Sequence, residues 1–141
     1  MDFFDLIRSG NLEEIKKQAK ENPSILSKKD EKGFPPLIMA CYVDQKEIAG
    51  FLLKAGVDID ARDAAGNTAL MGVSFKGNKE IARLLIDHGA DLNAQNQQGA
   101  TALIFAAIFN QKDIAVLLLE HGADKTIKDA HGKTADEHAE F

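Results

Sequence analysis

Apolar residues fall along this chain in short blocks that recur at a constant distance. One set of blocks, 35–43, 68–76 and 101–109, is apolar almost throughout, and residues 102–109 carry no polar side chain at all. A second set, 46–54, 79–87 and 112–120, is two-sided. In its middle member Ile81, Leu84 and Leu85 sit at helical spacing, while Lys79, Glu80, Arg83 and Asp87 take most of the other side. The two sets predict alternating helices, the first buried on most sides and the second amphipathic, with Leu84 expected between neighbouring units. Gly56, Gly89 and Gly122 follow the second set and stop it, because glycine enters the left-handed conformation without a Cβ clash. Residues 116–119 alone suit a strand equally well; the helix stops and the repeat length decide for helices.

The repeat length is 33 residues. Gly33, Gly66, Gly99 and Gly132 keep that step, and so do Gly56, Gly89 and Gly122, Leu37, Leu70 and Leu103, and Asp58, Asp91 and Asp124. Asp30, Asp63, Asn96 and Asp129 form a fifth series, three residues before the first glycines. Three full units follow, 30–62, 63–95 and 96–128, between an N-terminal cap (2–29) and a partial C-terminal cap (129–141). Each unit opens on a turn with Asp or Asn first and Gly fourth, which suits a type I turn. Thr68 and Thr101 are placed to cap the next helix, and Pro35-Pro36 is tolerated there because first-turn N–H groups have no helical partner. A helix of about nine residues does not hold in water alone, so each must bury its stripe against the next pair. The ends are accordingly polar: the N-terminal cap is rich in Glu and Lys, and Asp136 stands where Leu37, Leu70 and Leu103 stood. The last unit stops after one helix, which predicts fraying near Phe141. One domain, 1–141, is expected.

These residues resemble the ankyrin repeat from about Asp2 to the end. The family pattern of Asp-x-x-Gly turn, Thr-Pro-Leu-His, two helices and Gly-Ala-Asp-x-Asn is matched by Asp63 to Gly66, Thr68-Ala69-Leu70-Met71 and Gly89-Ala90-Asp91-Leu92-Asn93. The third unit gives Asn96 to Gly99, Thr101-Ala102-Leu103-Ile104 and Gly122-Ala123-Asp124. The first gives Asp30 to Gly33, Pro35-Pro36-Leu37-Ile38 and Gly56-Val57-Asp58-Ile59-Asp60. Departures are visible. Ile38, Met71 and Ile104 replace the family histidine, so apolar packing is expected in place of its hydrogen bond to the threonine. Ala69 and Ala102 replace the proline, and Asp44 and Asn110 replace the glycine kept as Gly77. The resemblance implies an all-α solenoid of stacked helix–turn–helix units with short β-turn fingers. It also implies a non-enzymatic module that binds another protein on the concave surface made by turn tips and first helices.

The residues themselves mark where a partner would touch. Nine positions beyond the turn glycines stand Tyr42, Phe75 and Ile108, and one further on Val43, Lys76 and Phe109. In a stacked array these form a column spaced by about 10 Å per unit. With Phe34 and Asn67 from the tips, this column is the expected partner-binding surface. Inward packing is the competing reading for Tyr42 and Phe75, and the preferred one for Phe105. The tips 31–34, 64–67 and 97–100 carry little net charge, so shape and apolar contact are expected to outweigh electrostatic steering. Self-association through the same apolar groove is the alternative function.

Composition narrows the classes. The chain is 45% hydrophobic and 28% charged, as folded proteins are, with net charge −5 and pI about 5.3. That disfavours nucleic acid and anionic membrane surfaces as partners. The apolar run 102–109 is far too short to span a membrane. The start, Met1-Asp2-Phe3-Phe4-Asp5, lacks the basic end and apolar stretch of a secretory signal, pointing to a cytoplasmic protein, with export the alternative if a signal has been removed. A monomer is expected, with a homo-oligomer the alternative. No phosphate loop, Gly-x-Ser-x-Gly or His-Glu-x-x-His occurs, and no catalytic residue, metal or cofactor is expected. Cys41 lies on an apolar helix with nothing near it in sequence to activate the thiol. His88 and His121 read as helix-end residues, His131 and His138 as surface residues, and Asp58, Asp91 and Asp124 as loop hydrogen-bond acceptors.

Overall fold

The computed structural model describes residues 2–139, where nine short α-helices and one 3₁₀ segment are joined by turns without a β-strand. The helices are α1 (Phe3–Ser9), α2 (Leu12–Glu21), α3 (Pro36–Tyr42), α4 (Lys46–Lys54), α5 (Ala69–Lys76), α6 (Lys79–Asp87), α7 (Ala102–Ile108), α8 (Lys112–Glu120) and α9 (Ala135–His138). The 3₁₀ segment is Pro23–Ser27, between α2 and α3. The three amphipathic blocks coincide with α4, α6 and α8, and the three apolar blocks contain α3, α5 and α7. The fraying expected at Phe141 lies outside the described residues.

Local chemistry sets these bounds. Thr68 Oγ1 accepts from Met71 N at 3.3 Å and Thr101 Oγ1 from Ile104 N at 3.2 Å, so both threonines cap as predicted. One expectation needs correction. Where the family histidine would stand, Met71 does more than pack: its Sδ accepts the Thr68 backbone N–H at 3.4 Å. The soft thioether closes a reciprocal capping box in place of the imidazole.

The fingers repeat one design. Oδ1 of Asp30, Asp63, Asn96 and Asp129 each accepts two backbone N–H bonds of 2.9–3.1 Å, from residues two and four further on. Neighbouring fingers are joined by Gln97 N to Ala65 O (3.2 Å) and Ala130 N to Gln98 O (2.8 Å). Behind them Asp60 Oδ1 accepts from Asp91 N, and Asn93 Oδ1 from Asp124 N. Arg62 Nη1 donates to the carbonyls of Gly66 and Gln95, both at 2.8 Å, crossing from one unit to the next.

Odd-numbered helices form an inner row, α1 through α9, each packed on the next; α4, α6 and α8 stack behind it as an outer row. The core lies between the rows, with Ile48, Leu52, Leu70, Ile81, Leu85 and Ile114 among its fully buried side chains. Leu84 is not one of them. It is half-buried at the rim, because α6 turns Ile81 and Leu85 inward and leaves Leu84 between core and solvent.

His138 is also more than a surface residue. Its Nε2 meets Asp129 Oδ2 at 2.6 Å, with both side chains largely covered, and so ties α9 back to the last finger. That bond, followed by the Lys133 N–H, holds the Asp129 carboxyl below the usual carboxylate range. A carboxyl depressed in the folded state adds stability above its unfolded pKa and loses it as pH falls through the folded value. Below about pH 4 the C-terminal cap is therefore expected to loosen first. Amide exchange should show α9 losing protection ahead of α5 and α7; simultaneous loss in all three would refute the tie.

Candidate functional site

The inner row and its fingers enclose a groove of about 1020 Å³. Its apolar floor comes from α3, α5 and α7, through Ile38, Met39, Tyr42, Met71, Phe75 and Phe105. The first-helix blocks are apolar on more sides than one stripe of packing can use. Ile38 and Met71 spend the surplus inward, buried, while Tyr42 (56% exposed) and Phe75 (44%) face solvent.

The predicted surface residues separate into two groups. Phe34, Tyr42, Val43, Asn67 and Phe75 line the groove together. Lys76, Ile108 and Phe109 do not. Ile108 and Phe109 are exposed but lie beyond the end of the groove, which closes at Phe105. Phe105, the residue assigned inward, is half-buried and contributes to the lining. It stacks on Phe109 at 6.2 Å between centroids, and Phe109 meets Phe75 edge-on at 4.6 Å, so three rings form one continuous cluster. Lys76 is held over the Tyr42 ring, 4.7 Å from its centroid, and its Nζ bonds the Tyr42 carbonyl and lies 3.4 Å from Asp44 Oδ2. The Asn78 amide reaches Asp44 as well and is the main cause of its lowered pKa. Asn67 serves the fingers: its Oδ1 accepts from Asn96 Nδ2 at 2.8 Å.

Sequence reasoning placed the finger-tip residue Lys32 at the groove but missed its neighbours there: Arg8, Lys28 and Lys29 stand beside it, carried by α1 and by the chain that follows the 3₁₀ segment. The proline at 23 and the charged run 28–32 were the available signal, but nothing local says that this run returns to the inner face.

The remaining candidates for chemistry are occupied structurally. Burial pushes the Cys41 thiol up to about 12, far from a thiolate at neutral pH. Nδ1 of His88 and of His121 donates to the carbonyl four residues earlier, Leu84 and Leu117, at 2.8 and 2.9 Å. Oδ1 of Asp58, Asp91 and Asp124 each accepts the backbone N–H two residues on.

The combination of finger turns, capped inner helices and glycine-stopped outer helices recurs at one spacing in this chain and in known proteins. A family model described as "Ankyrin repeats (3 copies)" matches residues 60–129, and one described as "Ankyrin repeat" matches residues 32–64. The chain belongs to the ankyrin-repeat family. Over 57 residues it is 44% identical to NF-kappa-B inhibitor alpha of Gallus gallus. That match covers 40% of this chain and 18% of the relative, so the likeness concerns repeats and a small part of that protein's length.

The ankyrin stack also explains a second exposed apolar site. Ile86 is 9% exposed in α6, and α8 packs over that helix. Its counterpart one repeat later, Leu119, is 44% exposed, and no described outer helix follows α8. Identical positions thus differ in exposure because of their place in the stack, not their chemistry. Among the described residues no helix is long and apolar enough to cross a membrane, and no group of three or more His, Cys, Asp or Glu is placed to hold a metal ion.

Proposed function

We propose that this ankyrin protein is a non-enzymatic module, acting as one domain, that binds another protein in the groove of its inner helices. The observation carrying this reading is the outward placement of Tyr42 and Phe75 on an apolar floor already shaped by stacking. Aromatic side chains supply large contact area at low entropic cost, and a preformed groove loses little freedom when the partner arrives. The match to NF-kappa-B inhibitor alpha, named as an inhibitor of another protein, supports the same class of function. A single buried cysteine suits a cytoplasmic protein that does not depend on disulfides. Nucleic acid and membrane are not among the partners proposed, and no cofactor is invoked.

The test uses a Tyr42→Ser/Phe75→Ser variant. Both side chains are largely exposed but still packed, Phe75 against Phe109 and Tyr42 under Lys76, so a stability loss of about 1 kcal/mol per site is expected, with the fold kept. Partners captured by the parent are expected to be lost from the variant. Equal capture by the folded variant would remove the groove from the function. Self-association through the exposed Phe75–Phe109 pair is the competing arrangement. Light scattering over a concentration series separates the two, since only self-association raises the mass of the purified chain.

A further inference from the structure

Of the 11 glycines in the chain, all but Gly50 and Gly72 adopt positive φ, where a side chain would be strained. Gly72 sits in the middle of α5 on ordinary helical backbone, its N–H bonded to the Thr68 carbonyl at 3.2 Å. A glycine inside a helix destabilises it relative to alanine. No close approach requires one here, since nothing lies within 4 Å of the Cβ that a side chain would add.

The space over Gly72 belongs to the groove. One repeat away on either side the same position carries Met39, which is buried, and Phe105, which is half-buried. The floor of the groove thus lacks one side chain at α5, the middle helix of the inner row. The neighbouring rings do not lean in to fill the gap. Phe75 turns edge-on to Phe109 at 4.6 Å between centroids, Phe105 stacks on the same Phe109, and Tyr42 lies under Lys76. What remains is a half-buried notch with backbone at its base, in a stretch of groove lined by Met39, Tyr42, Met71, Phe75 and Phe105. Gly50 has equally open surroundings, but it lies on α4 in the outer row, where its counterparts Arg83 and Val116 face solvent.

We propose that Gly72 is the specificity-determining position of the groove, and that its missing side chain admits one apolar side chain of leucine size or larger from the bound protein. This rests on the groove reading above and adds to it the point at which the main anchor seats. A charged anchor would lose its hydration among apolar walls without gaining a partner. A small one would leave those walls without contact. Filling the notch from within therefore helps the fold and harms binding, whereas filling the space at Gly50 helps the fold alone.

The experiment selects peptides from a random 16-residue display library on the full chain and measures the enriched ones by fluorescence anisotropy. Gly72→Ala and Gly50→Ala are each expected to raise the melting temperature by about 3 °C, because both replace a helical glycine without a clash. Enriched peptides are expected to share one large apolar residue. Gly72→Leu is expected to weaken them at least about tenfold, and Gly50→Ala to leave them unchanged. Replacing the shared residue of the peptide by alanine is expected to weaken binding to the parent by a similar factor. It should cost nothing further on Gly72→Leu, since both changes remove one contact. If Gly72→Leu melts below the parent, Gly72→Ala decides in its place, with an expected loss of at least about threefold. Losses that multiply place the anchor elsewhere and overturn the proposal. Peptides lost with Tyr42→Ser/Phe75→Ser but indifferent to substitution at Gly72 overturn the notch and leave the groove reading standing. Peptides indifferent to both remove the groove as well. Enrichment without a shared large apolar residue, or no enrichment, also overturns the proposal.

Discussion

Replacing Leu85 with alanine is expected to cost about 3 kcal/mol, the middle of the range for a buried leucine truncation. Leu85 is fully buried on α6, which stands between α4 and α8 in the outer row. A solenoid has no distant contacts to compensate, so a cavity here weakens the second unit and both of its interfaces at once. Leu84→Ala is the control. One residue away but half-buried, it is expected to cost no more than about 1 kcal/mol. Urea unfolding checks both: the Leu85→Ala midpoint should fall well below that of Leu84→Ala. Equal midpoints would mean that α6 does not present Leu85 to the core as described. Loss of the second unit would also disturb the groove, because α5, its inner helix, carries Phe75.

Gly77→Ala is expected to cost about 2 kcal/mol, from two separable causes. Gly77 ends α5 at φ 90°, where a side chain is strained. A Cβ there would also stand 2.5 Å from Gln111 Oε1. The glutamine can swing away, but its Nε2 then releases the Phe75 carbonyl, which it holds at 3.1 Å. Gly56→Ala isolates the first cause. Its φ is 92° and nothing lies within 4 Å of the added Cβ, so strain alone, about 1 kcal/mol, is expected. Thermal melts of the two variants should therefore differ, with Gly77→Ala the lower. Coincident melts would show that the Gln111 bond contributes nothing. The same bond fixes the end of α5 on which Phe75 and Lys76 stand.

A stack of short, individually unstable helices presents its apolar groove on one rigid surface only after all units have packed.

The period of 33, the bounds of α4, α6 and α8, the threonine caps and the buried identity of Leu37, Leu70 and Leu103 are determined by sequence alone. These features are local or repeat at a fixed step, so residues that touch are either near neighbours or equivalent positions in adjacent units. The exposure of Tyr42 and Phe75 was legible for the same reason. Tertiary structure alone decided the rest. It brought the lysines after the 3₁₀ segment back to the inner face, ended the groove at Phe105 short of Ile108 and Phe109, and left Leu119 open where Ile86 is closed. It also joined His138 to Asp129 and Thr68 N–H to the Met71 sulfur. Each of these depends on where a unit sits in the stack and on which side chain reaches across to it, and neither is encoded in the few residues around the position.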